Sequence, residues 1–161
     1  MVSFSQVSPN GFVVDASLIV GVIQGLPEAR RFAPLLKSAF TSSVTLGETF
    51  YIIHRRAPKT THVVIESAMV GLGVTVEPVS IEIVRHFNAL KDIDGLRVTQ
   101  QLSQGVLPVN LKKLSLGDMI CLGQAMTLNL PVLTGDKHLL TLSEHGLGID
   151  LWDFRDPQLV I

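Results

Sequence analysis

The chain lacks most of the residues that would point to other architectures. It has 161 residues and one cysteine, Cys121, which excludes an internal disulfide and makes a reducing cytoplasm the expected compartment. Standing alone in an apolar stretch, that thiol reads as core packing and not as a nucleophile. No run reaches the roughly 18 uninterrupted apolar residues of a membrane span. The two most apolar regions are broken, one by Asp15 and Gln24, the other by Gln124, Asn129 and Pro131. The N-terminal MVSFSQVSPNG has no basic residue before an apolar stretch, so no signal peptide is expected. Charge is also scarce. Only 17% of residues are Asp, Glu, Lys or Arg, and the formal net charge of −1 excludes a protein that coats nucleic acid through bulk charge. The five histidines, His54, His62, His86, His138 and His145, show no HExxH spacing, and with no thiolate cluster there is no zinc signature.

What is present is an apolar chain, 47% hydrophobic, long enough for one domain over 1–161 with a sizeable core. Either several elements are buried on both faces, or apolar surface is kept for a partner. Gly11–Asp15 (GFVVD) predicts a buried strand, followed by a helix from Ser17 and another from Pro27 to about Ser38. Ala39–Thr41 predicts a very short strand and Ser42/Ser43 the start of a helix through about Arg56. A further helix is expected from Pro58 to about Val70, a strand over Val74–Val79 and a helix over Ser80–Lys91. Asp92–Leu111, with Asp-Gly and Val-Leu-Pro, predicts a short helix plus loops. Ser115 opens the most apolar helix, through about Asn129. Pro131–Thr134 is a strand, Asp136–His145 a helix and Ile149–Trp152 a last strand. Strands alternating with helices imply an α/β fold with a parallel sheet.

Four acids stand out. Asp15 ends the first strand and Asp136 directly follows the PVLTG strand, and in open α/β sheets sites form outside the carboxyl ends of strands. Each acid alone also suits a helix cap or turn. Glu48 and Asp118 lie in the matching stretches TLGE (45–48) and SLGD (115–118), where an acid three residues after a hydroxyl suits a capping box. Capping does not explain the glycine before each acid, since glycine inside a helix costs about 1 kcal/mol relative to alanine. A glycine there admits a close neighbour. Four carboxylates at one place repel, by about 3 kcal/mol per pair at ~5 Å and an effective dielectric of ~20. Such a cluster needs protons or cations, and oxygen-only ligands select hard ions, Mg²⁺ or Mn²⁺.

The blocks VVDAS (13–17), SVTLGETF (43–50), LSLGDMICLGQAM (114–126) and VLTGDKHLL (132–140), in this order, resemble the PIN-domain nucleases, and most of all the VapC toxins of bacterial toxin–antitoxin pairs. The resemblance implies a three-layer α/β/α sandwich around a parallel sheet of strand order 3-2-1-4-5, with a longer connection at about 92–111. It implies a catalytic set of Asp15, Glu48, Asp118 and Asp136. Asp15, Asp118 and Asp136 would hold Mg²⁺ or Mn²⁺, and Ser17 and Thr134 would support the carboxylates. A further acid that many relatives carry after the fourth one is replaced here by Lys137-His138.

The function so implied is metal-dependent endoribonuclease activity on RNA phosphodiesters, as the toxin of a toxin–antitoxin system. The expected partners are an RNA substrate, a cognate antitoxin and a second copy in a homodimer, with no membrane. Arg55, Arg56, Lys112 and Lys113 are candidate RNA-phosphate contacts, and each pair also suits solvated helix-end charge. Alternatives are a non-toxin PIN nuclease and a PIN-like binding module without catalysis. Aspartyl phosphotransfer of the haloacid-dehalogenase type wants a second Asp two residues after the first, where Ser17 stands. A dinucleotide-binding enzyme wants GxGxxG, which DASLIVG lacks.

Overall fold

In the computed structural model, which describes residues 2–3 and 10–160, the first strand, β1 (Val2–Ser3), pairs in parallel with the last, β7 (Leu159–Val160). The N-terminal stretch expected to carry no signal peptide lies largely outside the described residues. The main sheet is built on β2 (Phe12–Val14), buried along its length. Phe12 and Val14 face one apolar cluster with Leu18, Ile19, Phe32 and Leu36, while Val13 faces another with Leu90, Leu122, Leu139 and Leu142. That alternation is the period of two of a strand covered on both sides.

β3 (Ala39–Ser42) and β5 (Val132–Thr134) flank β2, and β4 (Thr75–Glu77) and β6 (Leu151–Asp153) form the edges. All pairings are parallel, in the order β4-β3-β2-β5-β6. Counted within this sheet the order is 3-2-1-4-5, as the resemblance implies. Helices α1 (Ala16–Ile23) and α2 (Pro27–Arg30) cover the face of Val14 and Leu133. Helices α3 (Ser43–Arg56) and α4 (His62–Leu72) join α1 through Val20, Ile53 and Ile65. After α5 (Ile81–Val84), helices α6 (Phe87–Ser103), α7 (Leu116–Leu128) and α8 (Lys137–Leu140) cover the opposite face. The result is the α/β/α arrangement. Among the described residues no helix is long and apolar enough to cross a membrane.

Several boundaries differ from the sequence expectation. The helix predicted over 27–38 is split into α2 and a 3-10 segment, Ala33–Ser38, because Pro34 cannot continue an α-helical ladder. Pro58 does not begin a helix. It forces the preceding Ala57 out of the helical region (φ −138°, ψ 77°), which ends α3, and α4 starts only after Thr61. The helix expected over 80–91 is interrupted at Arg85-His86, and the one over 136–145 becomes α8 plus a 3-10 turn. The largest correction concerns 92–111. Helix α6 runs through most of it, to Ser103, and the remainder is a turn and a 3-10 segment at Pro108–Asn110.

Helix α6 turns charge inward, which breaks the apolar stripe expected of a core-facing helix. Arg97 is only 1% exposed. Its Nε and Nη2 donate to Asp94 Oδ1 (3.0 and 2.7 Å), Nη1 donates to Gln101 Oε1 (2.7 Å), and Nη2 also donates to the Lys112 carbonyl. The second Asp94 oxygen accepts the Leu114 amide (3.1 Å). A buried ion pair thus binds α6 to the segment that leads into α7. Removing one partner leaves a buried charge uncompensated, so Asp94→Ala is expected to cost about 3–5 kcal/mol in urea denaturation. Arg155→Ala, which breaks a half-exposed ion pair with Asp153, is expected to cost under about 1 kcal/mol. Equal losses would contradict the role assigned to burial.

Candidate active site

Asp15 stands at the carboxyl end of β2 and caps α1. Its Oδ1 accepts the Ser17 amide (3.1 Å), the Ser17 hydroxyl (2.7 Å) and the Leu18 amide (3.3 Å), and its Oδ2 accepts the Thr134 hydroxyl (2.5 Å). Both hydroxyls are used twice. Ser17 Oγ also accepts the Gly135 amide (2.8 Å), and Thr134 Oγ1 accepts the Asp136 amide (2.9 Å). One carboxylate and two hydroxyls therefore tie the end of β2 to the turn after β5. Burial pushes the Asp15 carboxyl above its ordinary pKa, although the bonds from Thr134, Ser17 and Leu18 pull the other way.

The two acid-bearing stretches that match in sequence fold differently. Ser115 and Asp118 form a capping box at α7: Ser115 Oγ accepts the Asp118 amide (3.1 Å) and Asp118 Oδ2 accepts the Ser115 amide (2.8 Å). Thr45 caps nothing. The cap of α3 is Ser42, whose hydroxyl accepts the Thr45 amide (3.0 Å), and Glu48 lies beyond the first turn. Helix α3 starts at Ser43, as the Ser42/Ser43 signal predicts, so Glu48 falls in the second turn and the capping-box form of TLGE does not operate.

The glycines also divide. A Cβ on Gly117 would lie 1.9 Å from Glu48 Oε1 and 2.5 Å from Glu48 Cδ, so its missing side chain is the space that the Glu48 carboxylate fills. A Cβ on Gly47 would meet nothing within 4 Å, so close approach does not explain that glycine. Partial burial, then the charges of Asp118 and Asp15, raise the Glu48 pKa.

Asp136 caps α8, with Oδ1 accepting the His138 amide (2.8 Å), while Oδ2 accepts Lys112 Nζ at 2.6 Å. Partial burial opposes the charged form of Asp136, but the Lys112 ammonium and the His138 amide outweigh it and hold the carboxyl below its ordinary pKa. Desolvation likewise opposes the charged Lys112, and its bond to Asp136 with the charges of Asp136, Asp118 and Asp15 raises it.

All four acids line one cleft of about 480 Å³, together with Ser17, Gly117 and Gly135. Arg56 lines it too. Arg55 is exposed and does not, and Lys113 lines a separate hollow with Lys91 and Asp94. Two lining residues that the sequence reasoning missed are Phe154 and Arg155. Their signal was Asp-Phe-Arg at the carboxyl end of the last sheet strand, the same kind of place that singled out Asp15 and Asp136. The donors are all oxygen and carry excess negative charge, which fits a hard divalent cation. Among the described residues no three metal-ligating side chains form a closed cluster, and one of the four carboxylates is already engaged by a lysine.

A parallel sheet of this order with acids at its carboxyl edge defines a class of α/β/α proteins that work at strand ends. The chain belongs to the PIN domain family, whose model matches residues 12–144. A search of curated proteins finds no significant match. Solved structures of the same fold include DNA-bound VapBC from Salmonella typhimurium, with TM-score 0.58, 18% identity and coverage of 89% of this chain and 98% of that one. VapBC2 from Rickettsia felis, bound to a promoter DNA fragment, has TM-score 0.60, 14% identity and coverage of 88% and 98%. The sarcin–ricin-loop-cleaving toxin VapC20 of Mycobacterium tuberculosis has TM-score 0.54, 18% identity and coverage of 84% and 95%.

Two alanine substitutions test the glycine assignment. Gly117→Ala meets only the flexible end of Glu48, so stability is expected to change by no more than about 1 kcal/mol. The displaced carboxylate leaves the charges of Asp118 and Asp15, and its NMR-detected titration midpoint is expected to fall. Gly47→Ala is expected to stabilise α3 by up to about 1 kcal/mol and leave that midpoint in place. Identical titrations in the two variants would remove Gly117 from the site.

Proposed function

We propose that the protein is a Mg²⁺- or Mn²⁺-dependent endoribonuclease and the toxin of a toxin–antitoxin pair. The observation that carries this reading is the convergence of Asp15, Glu48, Asp118 and Asp136 on one cleft, with Glu48 lodged against the bare backbone of Gly117. Asp15, Asp118 and Asp136 would hold the cation, which when bound would supply Lewis-acid activation of water and stabilisation of charge at the phosphate. Ser17 and Thr134 fix the Asp15 carboxylate, so no side chain has to reorganise to present it. Glu48 caps no helix, and its raised pKa suits a group that accepts a proton from water at its carboxylate oxygen. Arg56 and Arg155 line the cleft and Lys112 reaches it through its bond to Asp136, and these cations would hold flanking phosphates. Arg55 and Lys113 remain candidates for more distant phosphates. Single-stranded or looped RNA suits such a cleft better than a duplex, whose base edges are hard to reach.

The partner reading is a cognate antitoxin and a homodimer in the cytoplasm. It draws support from the VapBC complexes of the same fold and from apolar side chains exposed on α3 and α4, namely Tyr51, Val63, Val64 and Val70.

The test compares cleavage of single-stranded RNA with Mn²⁺ and with EDTA, in the parent and in two variants. Ser115→Ala removes a cap acceptor and is expected to lower stability by about 1 kcal/mol while keeping most of the cleavage. Asp118→Asn is expected to change stability little and to reduce cleavage by at least about 100-fold, because an amide is a poor substitute for a carboxylate on a hard cation. Full cleavage by Asp118→Asn, or cleavage that EDTA does not touch, would overturn the proposal.

A further inference from the structure

Lys112 is held towards the acidic cleft from both ends. Its ammonium lies 2.6 Å from Asp136 Oδ2, although the side chain is 58% exposed. A long exposed lysine carries about 2 kcal/mol of rotamer entropy, so a single exposed ion pair does little to fix it. Here the backbone is fixed instead. The Lys112 carbonyl accepts Arg97 Nη2, and two residues later the Leu114 amide is bound by Asp94. The pair that makes these two contacts is itself buried. The lysine is thus anchored at its main chain by α6, and its stem has only to cross to the start of α8. Its neighbour Lys113 has the same charge and lines a different hollow.

We propose that Lys112 is a tethered counter-ion of the acidic cleft: its ammonium occupies the Asp136 carboxylate in the ion-free protein and competes with a divalent cation for it. Residue 112 then sets the cation concentration at which the cleft fills. The competition is local because Asp136 Oδ1 stays on the His138 amide, which leaves Oδ2 as the oxygen that lysine and cation both seek. This inference rests on the metal reading of the cleft given above, and it adds a residue of this chain that works against the cation.

The experiment is Mn²⁺ titration of the full chain by calorimetry, with Mn²⁺-dependent melting as a second readout. The variants are Lys112→Met, Lys112→Arg and Lys113→Met. Lys112→Met keeps the stem and removes the competitor, so its Mn²⁺ affinity is expected to rise on the order of tenfold, which corresponds to about 1.4 kcal/mol. Lys112→Arg restores a cation and is expected to fall nearer the parent. Lys113→Met removes the same charge elsewhere and controls for the general field of the protein, with an expected change under about twofold. Equal gains in Lys112→Met and Lys113→Met, or weaker binding in Lys112→Met than in the parent, overturn the proposal. Parent and Lys112→Met binding Mn²⁺ equally well removes this inference and leaves the metal reading standing. No Mn²⁺ binding by the parent or by Lys112→Met removes both.

Discussion

The buried Asp15 carboxylate is the constraint on which the site depends. A charge so little exposed is tolerated only when its oxygens are bonded, and four bonds reach it from the Ser17 amide and hydroxyl, the Leu18 amide and the Thr134 hydroxyl. Meeting that requirement joins the end of β2 to the start of α1 and to the end of β5. The same hydroxyls then accept the Gly135 and Asp136 amides, which sets the turn that presents the next acid. Stability and site geometry are therefore the same set of bonds at this corner of the sheet.

Capping and a role in the cleft turn out to be compatible. Asp15, Asp118 and Asp136 each cap a helix, and a carboxylate at a helix start gains from the partial positive charge there. For Asp118 and Asp136 the cap engages one oxygen with backbone amides, which fixes the side chain while the group still lines the cleft. Glu48 has no such support. It is partly buried against Gly117, and that burial, followed by the charges of Asp118 and Asp15, raises its pKa.

The connection at 92–111 positions the opposite charge, that of Lys112 just beyond its end. Its helix contains a buried Asp94–Arg97 pair where an amphipathic helix would carry apolar residues, and this pair holds the chain from Lys112 to Leu114. A segment with no sequence motif of its own thereby places both an ammonium at the cleft and the residue before the α7 capping box.

Ser17 and Thr134 entered only through the resemblance to PIN domains, whereas the local sequence was enough to determine the parallel α/β class and the Ser115–Asp118 cap and to single out the four acids as candidates. Each of these rests on neighbours in the chain or on a period of two or 3.6, as in the alternation of Phe12, Val13 and Val14. Tertiary structure alone decided the rest. Two equivalent glycines became one open position and one that a carboxylate from another helix fills. Of two adjacent lysines, one reached Asp136 and the other lines a separate hollow. These outcomes depend on contacts between residues far apart in the chain, Glu48 with Gly117 and Arg97 with Lys112. No local period encodes such a pairing, since it exists only after the layers have packed.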